Sequence, residues 1–351
     1  MDPLTHALSG ALLARATAPS SQSSEQALPL RTRVFVGFVA AAFPDLDLVL
    51  RLIDTLTYLS WHQGPTHSLV MLPVWAFLLS CLFSNLLRKQ YSWKAFYWPV
   101  CMGIAIHIAG DLITSYGLML FAPFSMQRVS FPLVFVIDLW FSLIIILGLF
   151  FSFKFPRRRI FAVCALVGLL CYVSFLWNLH ERAMNIGVVY ADSQAIKKVE
   201  ISVLPQPLSA FNWKVIVQDG QTYHVAYINL WRDRVNQWYI PDVWLLQRMM
   251  AAYQPYTEIM WQRYYQFGGE TYNLKFASQA WSQPEFEKFR EYAVFPVLDR
   301  IDHTNSETCF WFFDLRFQFP ELPPSFSYGM CRENKQSSWR MRRQQGVFLI
   351  D

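Results

Sequence analysis

The chain has 351 residues, a formal net charge of +5, 54% hydrophobic residues and only 16% charged residues. Soluble domains carry about a quarter charged residues, so this composition favours a membrane protein. The positive mean hydropathy excludes a disordered chain, and six scattered cysteines exclude a small disulfide-rich scaffold.

Five apolar stretches in the first half predict transmembrane helices. They cover residues 34–50, 68–87, 95–120, 131–153 and 160–177. A shorter apolar helix at 4–14 precedes them and is expected to be half-buried, and a polar, Ser-rich linker at 18–28 follows it. We therefore expect an all-α polytopic membrane domain of about five transmembrane helices plus a short N-terminal half-helix.

The basic excess is confined to this half. Residues 1–178 hold 12 Lys and Arg against 7 Asp and Glu, whereas residues 179–351 hold 18 of each. Ten of the twelve basic residues lie in alternate gaps between the apolar stretches, and only Arg51 and Arg128 lie in the others. Cytoplasmic loops carry such an excess, so the pattern predicts a multi-pass protein of a bacterial inner membrane with residues 179–351 in the periplasm. It does not resemble the clustered basic face that binds nucleic acid, and no nucleic-acid partner is expected.

Residues 179–351 have the pattern of a soluble α+β domain. Strands at 213–218 and 222–229 flank a hairpin turn around Asp219-Gly220. Helices are predicted at 244–267 and 284–292, and late strands at 310–319 and 325–331. Cys309 and Cys331 are the only cysteines of this half. A periplasmic location permits a disulfide between them, and two free thiols are the alternative.

Eight ionisable side chains lie in or beside the apolar stretches, where each costs at least a few kcal/mol. They are His6, Asp45, Asp47, His62, His67, His107, Asp111 and Asp138. No Lys or Arg within the apolar stretches can pair with the acids, whereas a metal ion would keep them ionised. At a helical rise of about 1.5 Å per residue, Asp45 lies roughly 18 Å from Arg33 and His107 roughly 20 Å from Lys94. The residues thus converge on one layer in the outer half of the membrane.

Local spacing supports a shared site. His107 and Asp111 are four residues apart, so they lie on one helix face. A turn at residues 63–65 can bring His62 and His67 to one point. Asp45 and Asp47 would diverge on a helix, so either Pro44 breaks the helix or only one of them is a direct ligand. Histidine and carboxylate ligands without thiolate suit zinc, with manganese and iron as alternatives.

Four of these residues also have a simpler interpretation. His6 can be an interfacial residue near the terminus, and His62 a surface histidine at the level of the headgroups. Asp47 can cap a broken helix, and Asp138 can bond a neighbouring helix.

The same residues carry a family resemblance. The segments MDPLTHAL (1–8), FPDLD (43–47), HQGPTHS (62–68), the pair at 107 and 111, and LFAPFS (120–125) followed by Arg128 and Asp138 resemble the YdjM/YbcI-type membrane-bound metal-dependent hydrolases over about residues 1–150. One departure is that the family has His-Arg-Gly where this chain has His62-Gln63-Gly64, which bears on the binding of an anionic group. A looser similarity to zinc-dependent phospholipases C and nucleases, which also have a histidine and an aspartate four apart, favours a phosphoester substrate.

The first hypothesis is therefore a metal-dependent hydrolase acting on a lipid-like or phosphoester substrate within the membrane. The expected ligands of a divalent metal are His6, Asp45, His62, His67, His107 and Asp111. Asp47 or Asp138 would be the general base, and Arg128 would bind an anionic group. The alternatives are a transporter or ion-conducting protein, and a metal-stabilised anchor for a C-terminal interaction domain. The oligomeric state is left open.

Overall fold

A computed structural model describes residues 1–19, 28–234, 245–269, 271–333 and 338–344. The chain divides into two compact units, Met1–Asn178 and Leu179–Asp351. Most of the linker expected at 18–28 lies outside the described residues.

The first unit is helical. Its helices are α1 Pro3–Ala16, α2 Leu30–Ala42, α3 Thr55–Trp61, α4 Leu72–Leu86, α5 Trp93–Leu112, α6 Leu139–Lys154 and the first part of α7 Ile160–Ser193, with 3₁₀ segments at Pro44–Leu52 and Pro65–His67. Residues 179–193 of α7 belong to the second unit. Each predicted apolar stretch contains a helix. The last helix continues well past the predicted end at residue 177.

Fewer helices than expected are long enough to span a bilayer on their own. Among the described residues, α5 and α7 meet the length and hydropathy of a span, and the bent pair formed by Thr55–His67 and α4 adds a third if it crosses as one unit. The stretch predicted at 34–50 is not one helix, because α2 ends at Ala42 and Pro44 begins the 3₁₀ segment. Proline has no N–H for a helical bond and clashes with the preceding turn, which explains the break.

Helices α1, α2 and α5 pack closely through small residues. A Cβ at Gly10 of α1 would lie 2.2 Å from the carbonyl oxygen of Gly37 of α2, and a Cβ at Gly103 of α5 would lie 2.8 Å from Ala40 Cβ. Such close backbone approach is typical of membrane helix interfaces. It brings the start of α1, the end of α2 and the second half of α5 together.

The second unit contains two sheets. Their strands are β1 Val199–Pro205, β2 Asn212–Asp219, β3 Thr222–Asn229, β4 Gln254–Pro255, β5 Gln262–Tyr265, β6 Pro296–His303, β7 Glu307–Asp314, β8 Tyr328–Glu333 and β9 Trp339–Arg343. The first sheet has the order β1-β2-β3-β4, with β5 also paired to β3, and the second has the order β6-β7-β8-β9. Neighbours are antiparallel except β3 and β4. Residues of both sheets share one core cluster.

The predicted hairpin is confirmed. Asp219 pairs with Thr222 across a two-residue turn, and Gly220 has a φ of +59°, a conformation that favours glycine. The disulfide permitted by the sequence is formed between Cys309 and Cys331, which face each other in the register of β7 and β8.

Two predicted elements of this unit differ from the structure. Residues 244–267 do not form one helix: α8, Leu245–Ala251, is followed by β4 and β5, and Pro255 prevents its continuation. The strand predicted at 310–319 ends at Asp314, whose carboxylate accepts from the backbone N–H of Arg316 and caps a 3₁₀ turn. The helix predicted at 284–292 is present as a 3₁₀ turn followed by α10, Glu287–Tyr292, and a further helix, α9, spans Thr271–Trp281.

Candidate metal centre

The first unit brings together four side chains that can bind a metal. Asp45, His67, His107 and Asp111 each offer one ligand atom, and these atoms lie within 4.8 Å of one another. Asp45 lies at the start of the 3₁₀ segment after α2, and His67 ends the segment Pro65–His67. The other two lie one turn apart on α5. Three separate parts of the chain therefore converge on one point.

The distances among these atoms suit a tetrahedral divalent ion. The Nε2 atoms of His67 and His107 lie 3.3 and 3.2 Å from Asp111 Oδ2. They lie 3.7 and 3.8 Å from Asp45 Oδ1. Ligands bound at about 2.0–2.1 Å to a tetrahedral ion are about 3.3 Å apart. The four residues therefore fit such an ion, with Asp45 slightly further out.

The same side chains have buried polar atoms that lack a hydrogen-bond partner within the described part of the chain. These atoms are Asp45 Oδ2, His67 Nε2, His107 Nε2 and Asp111 Oδ2. A buried polar atom without a partner costs roughly 1–3 kcal/mol, and more when it is charged. Three of these atoms, His67 Nε2, His107 Nε2 and Asp111 Oδ2, are also the atoms that lie 3.2–3.3 Å apart, so a bound cation would remove several of these penalties at once.

The two histidines are oriented by contacts on their other nitrogen. His107 Nδ1 lies 2.6 Å from the carbonyl oxygen of Ala41, which can only accept, so Nδ1 carries the proton and Nε2 has a free lone pair. His67 Nδ1 lies 3.0 Å from Thr66 Oγ1 and 3.5 Å from Asp47 Oδ2. Both imidazoles therefore turn Nε2 toward the carboxylates of the group.

His6 lies next to this group without belonging to it. Its Nε2 is 2.9 Å from Asp111 Oδ1, and its ring stacks on His107 with centroids 3.7 Å apart. The α-amino group of Met1 also contacts Asp111 Oδ1. His6 therefore contacts one carboxylate and one ring of the group.

A second group contains Asp45, Asp47 and His62. His62 Nδ1 lies 2.9 Å from Asp47 Oδ1, and Asp47 Oδ2 accepts from the backbone N–H of Gln63 at 3.1 Å. Both carboxylate oxygens of Asp47 are thus already bonded within the protein. In this respect Asp47 differs from the four ligand side chains.

Arg128 holds the loop that carries His62. Its guanidinium donates to the carbonyl oxygens of Ser60, His62 and Gly117 at 2.8, 3.1 and 2.8 Å. It also lies over the ring of Tyr116. Arg128 thus links the loop that carries His62 to the backbone at Gly117.

Asp138 is not a member of either group. Its carboxylate caps α6 by accepting from the N–H of Phe141, and it accepts from the Tyr172 hydroxyl of α7 at 2.9 Å. These contacts correspond to the simpler interpretation of Asp138, a bond to a neighbouring helix.

Several supporting groups were not singled out by the sequence. The role of the Ala41 carbonyl cannot be recognised from the sequence, since every residue has a backbone carbonyl. Thr66 and the ring of Tyr58, which stacks on His62 with centroids 4.7 Å apart, lie beside residues that were singled out. Their closeness in sequence to His67 and His62 was the available signal.

A third group, Glu307, Cys309 and Cys331, lies in the second unit. Its two sulfur atoms form the disulfide between β7 and β8. They are therefore not thiolates, and this group does not have the ligands of a thiolate metal site.

Comparison with known proteins identifies the half of the chain that carries the site. The family model described as "YdjM inner membrane protein" matches residues 1–183. A curated relative, "Uncharacterized protein YfhP" of Bacillus subtilis (strain 168), is 25% identical over 139 residues, which are 39% of this chain and 42% of the relative. The match thus spans less than half of that relative. No solved structure matches the chain.

Proposed function

This chain belongs to the YdjM inner membrane protein family, and on that basis we propose that its first unit is a metal-dependent membrane hydrolase. The convergence of Asp45, His67, His107 and Asp111, each of which has a buried polar atom without a partner in the described residues, carries the proposal. Two imidazoles and two carboxylates suit zinc, and manganese and iron share this ligand preference. A bound ion of this kind supplies Lewis-acid activation of water and of the scissile group.

Asp47 and His62 form the pair that handles the proton in this proposal. Asp47 orients the ring through Nδ1, as an acidic partner orients a catalytic histidine. The His62 side chain is 15% exposed, so it is accessible from outside the site, unlike the fully buried His67 and His107. Because Asp47 is already hydrogen-bonded, we assign it to proton handling and assign a single ion to the four-residue group.

The surroundings of the open side support a lipid-like substrate with a phosphoester group. The Asp45 side chain is 11% exposed, whereas the other three ligands are fully buried. The 3₁₀ segment that carries Asp45 exposes Leu46 and Leu52 by 65 and 85%, and Ile53, which follows it, is 74% exposed. A lipid-like molecule can pass such apolar side chains laterally from the bilayer.

We assign five crossings to the first unit, by α2 with its 3₁₀ segment, α4, α5, α6 and α7, and a periplasmic location to the second unit. A 16-residue helix such as α6 is about 24 Å long, near the roughly 30 Å of the bilayer core. The disulfide supports an oxidising compartment for the second unit. All four free cysteines lie in the first unit.

Metal content and hydrolysis test the proposed function together. The purified full-length protein should contain about one divalent ion per chain by elemental analysis. It should hydrolyse at least one member of a panel of phosphoester and acyl lipids. The double substitution His107→Ala with Asp111→Ala removes two of four ligands and should lower both metal content and activity at least tenfold, while membrane insertion is kept.

His303→Ala is the matched control, because this histidine lies on β6 in the second unit. It should leave both readouts unchanged. Full metal retention in the double variant would overturn the metal assignment. Metal bound without activity on any lipid of the panel would overturn the hydrolase assignment.

A further inference from the structure

The first unit has a cavity apart from the candidate metal centre. It is lined by the last turns of α1, the first turns of α2 and the last turns of α6. We call it the basic groove. Its volume is about 690 Å³, and its lining residues are Ala11, Arg15, Leu30, Arg31, Val34, Phe35, Phe38, Leu149, Ser152, Phe153 and Pro156. Most of these side chains are apolar, and two are arginines. His6 and Arg15 are nine residues apart on α1, or about 13 Å, so the groove is separate from the metal centre.

Two polar side chains of the groove are buried and lack part of their hydrogen bonding. Arg15 is 7% exposed; one guanidinium nitrogen donates to the carbonyl oxygen of Pro156 at 2.8 Å, and Nε has no partner within the described residues. Ser152 is 4% exposed, and its hydroxyl also has no partner there. A guanidinium nitrogen and a hydroxyl that line one cavity can both donate to the oxygens of one anionic group.

The rest of the lining fits a hydrocarbon chain. Phe35 and Phe153 are 60 and 85% exposed, and Phe38 and Leu149 also line the groove. Within the described residues, no acidic side chain lines the groove to neutralise its arginines. The cavity therefore combines one positively charged end with an apolar wall.

We propose that the basic groove binds one anionic phospholipid of the surrounding membrane. Its headgroup phosphate accepts from Arg15, Arg31 and Ser152, and one acyl chain lies along Phe35 and Phe153. Basic pockets between membrane helices bind anionic headgroups in this way, and each Arg near the membrane surface favours such lipids by about fivefold. This lipid is distinct from the proposed substrate, because it lies at the other end of α1 from the metal centre.

Lipid binding to the purified full-length protein tests the proposal. Native mass spectrometry in mixed micelles should detect one retained phosphatidylglycerol and at least fivefold weaker retention of phosphatidylcholine. Arg31→Gln should weaken phosphatidylglycerol retention about fivefold, and Ser152→Ala should weaken it by a smaller factor. Metal content should stay unchanged in both variants, which separates this site from the proposed metal centre.

Lys94→Gln is the matched control, since it removes one exposed positive charge at the start of α5, outside the groove. It should retain phosphatidylglycerol like the unmodified chain. Arg31 and Ser152 are tested in place of Arg15, whose bond to Pro156 also supports the fold. Equal retention of the two lipids, or equal effects of Arg31→Gln and Lys94→Gln, would overturn the proposal. Displacement of the lipid by millimolar inorganic phosphate would also overturn it, by indicating a site for free anions.

Discussion

Asp45 and Asp47 are two residues apart in one 3₁₀ segment, yet their carboxylates have different surroundings. Asp47 is bonded to His62 and to the backbone of Gln63, whereas one oxygen of Asp45 is buried without a partner in the described structure. Both residues carry the same charge, so only their hydrogen bonding distinguishes their roles. We therefore assign a metal-binding role to Asp45 and a proton-handling role to Asp47.

The substitution Asp47→Asn tests this division of roles. It keeps the size of the side chain but removes its charge, so it should lower hydrolysis about 100-fold or more while about one metal ion per chain remains. Asp192→Asn, at an exposed position near the end of α7, controls for the loss of one negative charge. A metal content that falls together with activity would instead make Asp47 a ligand.

Lys214 is a residue of the second unit that the sequence did not single out. It lies fully buried on β2, and its ammonium group donates to the carbonyl oxygens of Leu315 and Gln318. Burial lowers its pKa to about 7, and the negative charge of Asp314 only partly opposes this shift. In the unfolded chain the pKa returns to about 10.4. Between these values the unfolded state binds more protons, so stability rises with pH.

The substitution Lys214→Met should remove this dependence on pH. Between about pH 7 and pH 10, the free energy of unfolding of the unmodified chain should rise relative to that of the variant by up to about 1.4 kcal/mol per pH unit. Below about pH 7 the difference in free energy of unfolding between the unmodified chain and the variant should be constant. Urea unfolding of the full chain, followed by the strand signal in far-UV circular dichroism, measures the free energy of unfolding of both proteins at each pH. If the free energies of unfolding of the two proteins changed in parallel with pH from pH 6 to pH 9, the expectation would be contradicted.

At the level of elements, the site depends on how closely α1, α2 and α5 approach. Gly10 of α1 leaves no room for a side chain against the backbone of Gly37. α1 carries His6, α2 leads into Asp45, and α5 carries His107. A change in the spacing of these helices therefore changes the distances between the ligands.

Gly10→Ala should destabilise the first unit by about 1–3 kcal/mol, because its Cβ would overlap backbone atoms rather than a flexible side chain. The thermal midpoint and the retained metal should both fall. In Gly168→Ala on α7, the new Cβ would lie 3.5 Å from Ile144 Cγ2, which is ordinary contact. That control should be neutral or slightly stabilising, since alanine favours helix over glycine by about 1 kcal/mol. Equal effects of the two substitutions would exclude close packing as the cause.

Periodicity and residue spacing predicted which helices and strands are present better than they predicted the residues at which these elements end. The helical positions of His107 and Asp111 and the hairpin at Gly220 followed from local rules. The turn between His62 and His67 also followed from its sequence. A bond from Asp138 to a neighbouring helix was one interpretation of the sequence, but its partner Tyr172 and the carbonyl partners of Arg128 could not be predicted, because most of these bonds join segments far apart in the chain.

At the level of the whole molecule, the two units have different chemistry. The first has exposed apolar helices and all the free cysteines, whereas the second has two sheets joined through a shared core and one disulfide. Composition predicted this difference, since the net charge of the chain lies in residues 1–178. The number of crossings could not be read from hydropathy alone, because Pro44 divides one apolar stretch between two kinds of helix.

Protease treatment of spheroplasts tests the proposed orientation. A protease that cannot cross the inner membrane should digest residues 179–351 and leave a fragment of the first unit protected by the bilayer. Intact cells, in which the outer membrane excludes the protease, are the control. Protection of the second unit in spheroplasts, with digestion only after lysis, would indicate the opposite orientation, with the second unit in the cytoplasm.

The end of α2 has a consequence for the chemistry of α5. Carbonyl groups in the last turn of a helix have no partner within that helix, and Pro44 has no N–H to extend α2 toward them. The Ala41 carbonyl is therefore available to His107, and this bond fixes which ring nitrogen keeps its lone pair. The tautomer of a histidine on one helix is thus selected by the length of another. Extending α2 by one turn would give this carbonyl oxygen a second donor, a backbone N–H, and would weaken the bond that selects the tautomer of His107 without any change to His107 itself.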